Sequence, residues 1–409
     1  MLNRLKVLWF SPLPGYVRMG NSYGGGGWIS SLAEAFSTRT DIKLAIAYPI
    51  RSDVAAGKVE DDGIVRIPLP KPNVGLGRLG RFFALERQDR LLLETARKAV
   101  REFCPDVVQV FGLESVFGLL SRDVDAPLAL HLQGLLGPCV NAWVPPGYCL
   151  WDYVVAQGWN PLHIALRLRS LAFNRHLAKR ERRILKTLRF VMGRTEWDRQ
   201  YCSLFAPQAR YFQCGEILRP EFYGDGSWSS PSSPSLVSIV SSPLYKGHDM
   251  ILKTAKILLE SGCRMLEWRV FGVDDFRFAE RKTGIRAHDV NVRAMGIATA
   301  AQLRNALLSC SAYVHPSYID NSPNSVCEAQ ILGVPVVATN VGGVSSLFSK
   351  EQSSRLVPAN DPFSMAFRIR EALASPVSFI ADRAACRTRH DPSAVCERLM
   401  EIYQDILAG

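Results

Sequence analysis

No run of about 18 apolar residues occurs in this 409-residue chain, which excludes a membrane-spanning helix. The start, MLNRLKVLWFSPLPG, has a basic residue before an apolar run too short for a signal-peptide core, and Pro12 and Pro14 end it as they would a first strand. The expectation is a cytoplasmic protein. None of the ten cysteines forms a C-x-x-C pair, and no His/Cys cluster has zinc spacing. That argues against a structural zinc or a disulfide framework and for reduced thiols in a cytosolic setting. No internal repeat and no long low-complexity segment interrupts the chain.

Hydrophobic residues make up 47% and charged residues 21%, a soluble globular composition long enough for two domains with separate cores. Acids are the scarcer charge, and the net +11 suits anionic partners such as nucleotide diphosphates or acidic lipids. Strand-like runs alternate with helical ones: Lys6–Phe10, then Trp28–Phe36 with helical spacing, Ile42–Ala47, the amphipathic Phe82–Phe103, Asp106–Phe111 and Ala129–Leu132. Phe190–Gly193 closes the first half. Gly224–Ser235 (GDGSWSSPSSPS) reads as a linker, and strands restart at Leu236–Val240, Glu267–Val273 and Asn291–Gly296. The fold class is therefore α/β, with two doubly wound, mostly parallel domains. The expected limits are 1–220, a linker at 221–235, a second domain over 236–390, and a terminal helix over 391–409.

The most informative stretch is Ala312 to Ser346, AYVHPSYIDNSPNSVCEAQILGVPVVATNVGGVSS. Ala312–His315 reads as a strand that Pro316 stops. A polar loop follows, with Ser322 as a good helix N-cap and Pro323 suited to the first helical position. The helix Asn324–Leu332 ends at Gly333, and Pro335–Ala338 opens another buried strand. A loop at the carboxyl end of a strand, leading into a helix N-terminus, is where open α/β sheets bind anions. Asp320 and Glu328 flank that helix start.

This pattern resembles the donor-site signature of family 4 glycosyltransferases, the retaining group with the GT-B fold. Pro316-Ser317, Glu328-Ala329, Gly333-Val334-Pro335-Val336-Val337-Ala338 and Gly342-Gly343 stand in register, and Asp320 takes the place of the usual first Glu. The resemblance implies two Rossmann-like domains facing a cleft and a C-terminal helix crossing back to the first. It further implies retaining transfer of a sugar from a nucleotide diphosphate sugar, commonly a UDP-sugar, to an acceptor hydroxyl. No D-x-D motif stands at a strand end, and no metal or other cofactor is expected. The acceptor would be a glycan or a lipid-linked intermediate of polysaccharide synthesis, and nucleic acid is not expected as a partner.

By the same resemblance, Lys246-Gly247 match a Lys-Gly that clamps phosphate. The family's arginine, expected five residues earlier, is Ser241. Lys246 and the N–H groups of Asn324, Ser325 and Val326 would hold the diphosphate, with Gly272 nearby. Glu328 would accept from ribose hydroxyls, and Asp320, with Asn321 and Ser322, would contact the transferred sugar. Front-side displacement, with the leaving phosphate as base, is the expected mechanism. Lys246 beside the positive end of a helix dipole is otherwise unfavourable, which favours an anion there. On the first half, Gly24, Gly25, Gly26 and Gly27 form a flexible run or a cleft loop. Gln133 stands where relatives carry a histidine before Gly134. His131, two residues back, reads as a satisfied core or cleft-edge residue.

Val140–Pro161 is rich in aromatics, and Arg167–Arg189 is strongly basic. A solvated helix face and a patch for anionic lipid at the inner face of the plasma membrane both fit. Two rival functions stay open: a GT-B sugar-nucleotide epimerase and a non-catalytic nucleotide-sugar-binding module.

Overall fold

The computed structural model describes residues 4–15, 27–51, 57–71, 85–156 and 158–409. Gly24–Gly26 and the glycine loop expected at 75–80 lie outside the described residues. The chain divides into two compact units: residues 1–137, 173–217 and 389–409 form the first, and 138–172 with 218–388 the second.

The first unit is built on an eight-stranded sheet in the order β3-β4-β2-β1-β5-β6-β7-β8. Its strands are β1 Leu5–Phe10, β2 Ile42–Arg51, β3 Val59–Asp61, β4 Ile64–Lys71, β5 Val107–Phe111, β6 Leu128–His131, β7 Phe190–Gly193 and β8 Arg210–Gln213. All neighbours run parallel except β3 and β4, an edge hairpin that apolar runs alone do not reveal. Central strands such as VVQVF are buried on both faces, so they read as continuous apolar runs. The helix Pro392–Ala408 returns to this unit, where Trp9 Nε1 donates to Tyr403 Oη at 2.8 Å inside the core.

The second unit carries a wholly parallel six-stranded sheet, β11-β10-β9-β12-β13-β14. Its strands are β9 Ser235–Ile239, β10 Glu267–Phe271, β11 Val292–Ala294, β12 Ala312–His315, β13 Val336–Thr339 and β14 Leu356–Val357. After β9 the chain builds outward through β10 and β11, then returns to the other side of β9 as β12. The strand order therefore reverses between β9 and β12, the switch point at whose carboxyl ends such sheets bind ligands.

Two expected boundaries need correction. Residues 138–172 cluster with the second unit, not the first. Tyr148 stacks on Phe278 at 6.0 Å, and Asp152 pairs with Lys282 at 2.7 Å, which ties that segment down. The presumed linker is also packed onto the second unit, because Trp228 has partners there: its N–H reaches Leu332 O at 2.9 Å and Nε1 reaches Cys310 O at 2.6 Å. The chain changes units at 217–218 instead.

Candidate active site

Two loops leave the switch point, one after β9 and one after β12. The first contains the short turn Leu244–Lys246, then Gly247 and the helix His248–Glu260. The second runs from Pro316 to Pro323 and opens the helix Asn324–Leu332. Tyr318 ties them together, its N–H donating to Tyr245 O at 2.7 Å and its hydroxyl to Asp249 at 2.9 Å.

The glycines of the motif are explained by close approach. Gly247 has φ +82°, and a Cβ there would lie 2.1 Å from Pro316 O; a Cβ on Gly342, φ +52°, would lie 2.0 Å from Asp320 O. Only glycine fits where the two loops and the Gly-Gly turn meet. Gly343 N–H then donates to Asp320 O at 3.1 Å, and Thr339 Oγ1 to Ser317 O at 2.6 Å, so the acid's backbone is fixed from below.

In this frame Lys246 Nζ donates to Asp320 Oδ2 at 2.6 Å. His315 Nε2 stands 3.1 Å from the same oxygen, and Asn321 N–H donates to Oδ1 at 3.1 Å. Burial works to raise the Asp320 carboxyl, but the Lys246 charge and the hydrogen bonds from His315 and Lys246 outweigh it. The acid is held well below the usual carboxylate range. Both Lys246 and Asp320 keep some exposure, 20% and 16% of their side chains, so an anionic ligand can reach them. The charge that the helix start makes costly on Lys246 is thus balanced by Asp320.

Glu328 differs. Its side chain is fully buried and bidentate with Arg219, Nε to Oε1 at 2.8 Å and Nη2 to Oε2 at 2.7 Å. Burial works to lower Arg219, and Glu328 more than compensates, so the guanidinium stands above its ordinary range; burial pushes the Glu328 carboxyl up, with Arg219 opposing that rise. Both carboxylate oxygens are therefore engaged inside the second unit. The expected direct line from Glu328 to an open ribose site is not what this arrangement displays.

Other expectations are met with changes. Pro323, not Ser322, occupies the N-cap position, with no side-chain cap. The Val326 N–H is spent on Pro323 O at 2.9 Å, so it is not an open phosphate donor. Ser325 Oγ accepts from Tyr313 Oη at 2.7 Å, pointing back toward β12, and Ser322 and Asn321 are buried in the loop. Gly272, φ +90°, lets β10 pass Val240 O, and its N–H bonds Gly296 O at 2.7 Å. Its place is structural. Ser241 is exposed beyond β9, and its carbonyl stands 2.9 Å from His248 Nε2.

In the first unit His131 is a core residue, wholly buried between Trp28 and Phe111. Burial and then the Arg194 charge bring it down to about 3, so it is neutral and not at a cleft edge. The Gln133 carbonyl accepts from Arg194 Nη2 at 2.5 Å, and Arg194 also pairs with buried Glu216. Gly27 opens the helix Gly27–Ser37. Sequence reasoning missed Arg219, His315, Arg194 and Glu216. His315 was findable from its place at the end of β12, beside Pro316-Ser317. Arg219 stands 109 residues before its partner, and no spacing links the two.

The two mostly parallel sheets flanked by helices give the fold shared by GT-B glycosyltransferases. Residues 234–375 match the family described as glycosyl transferases group 1. Over 57 residues it is 49% identical to a Bacillus subtilis (strain 168) protein whose name places it in teichuronic acid biosynthesis, the glycosyltransferase TuaC. That stretch is 14% of this chain and 15% of the relative. Among solved structures, sucrose-phosphate synthase from Thermosynechococcus elongatus is similar with a TM-score of 0.71 at 16% identity, covering 99% of this chain and 100% of that one. HepE from Anabaena, solved in complex with UDP and glucose, gives a TM-score of 0.60 at 16% identity, covering 98% and 100%.

Proposed function

We propose that the protein moves a sugar from a UDP-sugar to a hydroxyl of a glycan or lipid-linked intermediate in polysaccharide synthesis, with retention at the anomeric carbon. The observation that carries this reading is the Lys246–Asp320 contact at the β9/β12 switch point, a cation and an acid presented side by side where an anionic donor would enter. The likeness to HepE, solved with UDP and glucose, supports uridine as the base, and the name of the Bacillus relative supports a polymer of the teichuronic acid kind as the destination.

The diphosphate replaces Asp320 as the partner of Lys246, which neutralises the leaving group without a metal. Asp320, relieved of Lys246, keeps His315 and the Asn321 N–H and turns its charge to the sugar. Glu328, clamped by Arg219, fixes the helix start that carries Asn324 and Ser325. The leaving phosphate takes the acceptor's proton in a front-side displacement. We place the reaction in the cytoplasm, at the inner membrane face where lipid-linked acceptors stand.

A thermal-shift panel of nucleotide sugars tests the donor, since a ligand at 100 times its dissociation constant stabilises by about 2.7 kcal/mol. Product analysis with and without acceptor then separates the alternatives. Transfer only with acceptor supports the proposal; a changed sugar nucleotide without acceptor means an epimerase; binding with no product means a binding module.

A further inference from the structure

His315 is the last residue of β12, where its backbone pairs with Ala338 of β13 and its carbonyl accepts from Thr339 Oγ1 at 3.3 Å. The side chain is 2% exposed, so strand and core together hold the imidazole in one place. Nε2 lies 3.1 Å from Asp320 Oδ2, yet its N–H is poorly aligned with that oxygen, and Nδ1 has no partner among the described residues. A buried donor met this poorly costs stability and calls for an explanation.

The cause is crowding at one oxygen. Lys246 Nζ already donates to Oδ2 at 2.6 Å, and Ser317 Oγ stands 3.5 Å from it. The two nitrogen partners differ in freedom. Lys246 sits on the short turn Leu244–Lys246, with a long flexible stem and a fifth of its side chain open to water. His315 is a buried ring on a paired strand. An anionic ligand can therefore draw Lys246 away while His315 stays. Oδ2 then has a free position, and the imidazole N–H is the buried donor that faces it. The proton in that contact is assigned to Nε2, because an ionised carboxylate has none to give.

We propose that His315 is the positioning residue that takes over Asp320 when a nucleotide diphosphate claims Lys246, and so fixes the acid's aim at the donor sugar. This rests on the proposed reading of the site and adds a role for one residue to it. Oδ1 keeps the Asn321 N–H at 3.1 Å, so the carboxylate is gripped at both oxygens without Lys246. Without the imidazole, the donor left near Oδ2 among the described residues is Ser317, at 3.5 Å, and the released acid would turn between rotamers. Its orientation toward a sugar would be lost while the phosphate contact of Lys246 stayed intact.

The first test needs no donor. Urea unfolding of His315→Met, Lys246→Ala and the double variant forms a cycle, with His315→Gln as the variant that keeps an N–H donor. Lys246→Ala leaves Asp320 to His315, so adding His315→Met should raise the unfolding constant about fivefold or more beyond the product of the single changes. Additive losses overturn the proposal. The second test uses UDP beside UDP-glucose, UDP-galactose or UDP-N-acetylglucosamine, whichever shifts wild-type unfolding most. His315→Met should bind UDP within about twofold of wild type, while turnover of the UDP-sugar, read as UDP release, falls about tenfold or more. His315→Gln should recover most of that turnover. A residue that only packs β12 would not separate UDP affinity from turnover, nor be replaced by a polar amide. Equal loss of UDP affinity and turnover, or no recovery in His315→Gln, therefore also overturns the proposal. If no UDP-sugar shifts the wild-type protein, the donor reading fails, and the unfolding cycle still decides whether His315 receives Asp320.

Discussion

Asp320 and Glu328 bracket the same helix start, yet their surroundings are opposite. Asp320 lies in a loop, faces a lysine and a histidine, and keeps part of its surface open. Glu328 lies on the helix, is fully buried, and gives both oxygens to one arginine. The two acids of the motif therefore do different work. The first pairs with a cation on a surface that is partly open to water. The second is a fixed tie between the helix and the chain at Arg219, where unit two begins. What separates them is the partner and its access to water, which a motif written as two acids at a set spacing does not express.

The largest expected effect breaks that tie. Glu328→Gln leaves the Arg219 charge half-enclosed without a counter-charge, and breaking a buried pair costs about 3–5 kcal/mol. Arg219 keeps a quarter of its surface exposed, so the lower end, about 3 kcal/mol, is expected from urea unfolding. Combining it with Arg219→Met should restore most of the loss. A cost no greater than that of Asp320→Asn would erase the contrast between the two acids.

Next in size is Lys246→Ala. Its pair with Asp320 is partly open to water, so stability should change by about 1 kcal/mol or less. Binding of the nucleotide diphosphate should weaken by about 1.5–3 kcal/mol, the value of a hydrogen bond to a charged group. Isothermal titration reads this directly, and unchanged affinity would remove Lys246 from the phosphate site.

Much of the second unit was legible because parallel buried strands and glycine turns leave strong local marks. The helix Asn324–Leu332 and the strand Ala312–His315 were bounded to the residue. The Gly-Gly turn was visible as a motif, while its cause, the approach of Gly342 to Asp320 O, needed coordinates. Arg219 was hidden because its partner is distant in sequence, and a lone arginine after a strand carries no periodic signal. The stretch around Trp228 read as a linker because composition shows Gly, Ser and Pro but not where one indole is buried. His131 could be weighed only as core or cleft edge, since alternation along a strand gives the face but not the depth.

Asp320→Asn sharpens the comparison from the other side. Removing the carboxylate charge frees Lys246, so affinity for the bare diphosphate should hold or rise, by about tenfold at most. Turnover should fall, or the preferred donor sugar should change, if Asp320 contacts the transferred sugar as proposed. Affinity by titration beside transfer rates with several donors checks this. If the diphosphate weakens as much as in Lys246→Ala, Asp320 belongs to the phosphate site and not to the sugar.

The smallest expected effect is on stability in acid. The folded-state carboxyl of Asp320 sits below its ordinary value, because Lys246 and His315 together outweigh its burial. An unfolded aspartate titrates near about 3.9, so above that pH both states are ionised and the stabilising contribution is fully present. As pH falls below about 3.9 the unfolded chain takes up a proton that the folded chain refuses, and the contribution drains away toward the depressed folded value. Wild-type stability should therefore drop more steeply over that acid range than the stability of Asp320→Asn, while the two curves run parallel from about pH 5 to 7. Lys246→Ala should flatten the acid limb as well, since it removes the largest influence holding the carboxyl down. Urea midpoints measured across that range decide the matter. If the curves of wild type and Asp320→Asn stay parallel through the acid limb, Asp320 is not held ionised by its neighbours, and its contrast with Glu328 reduces to a difference in burial alone.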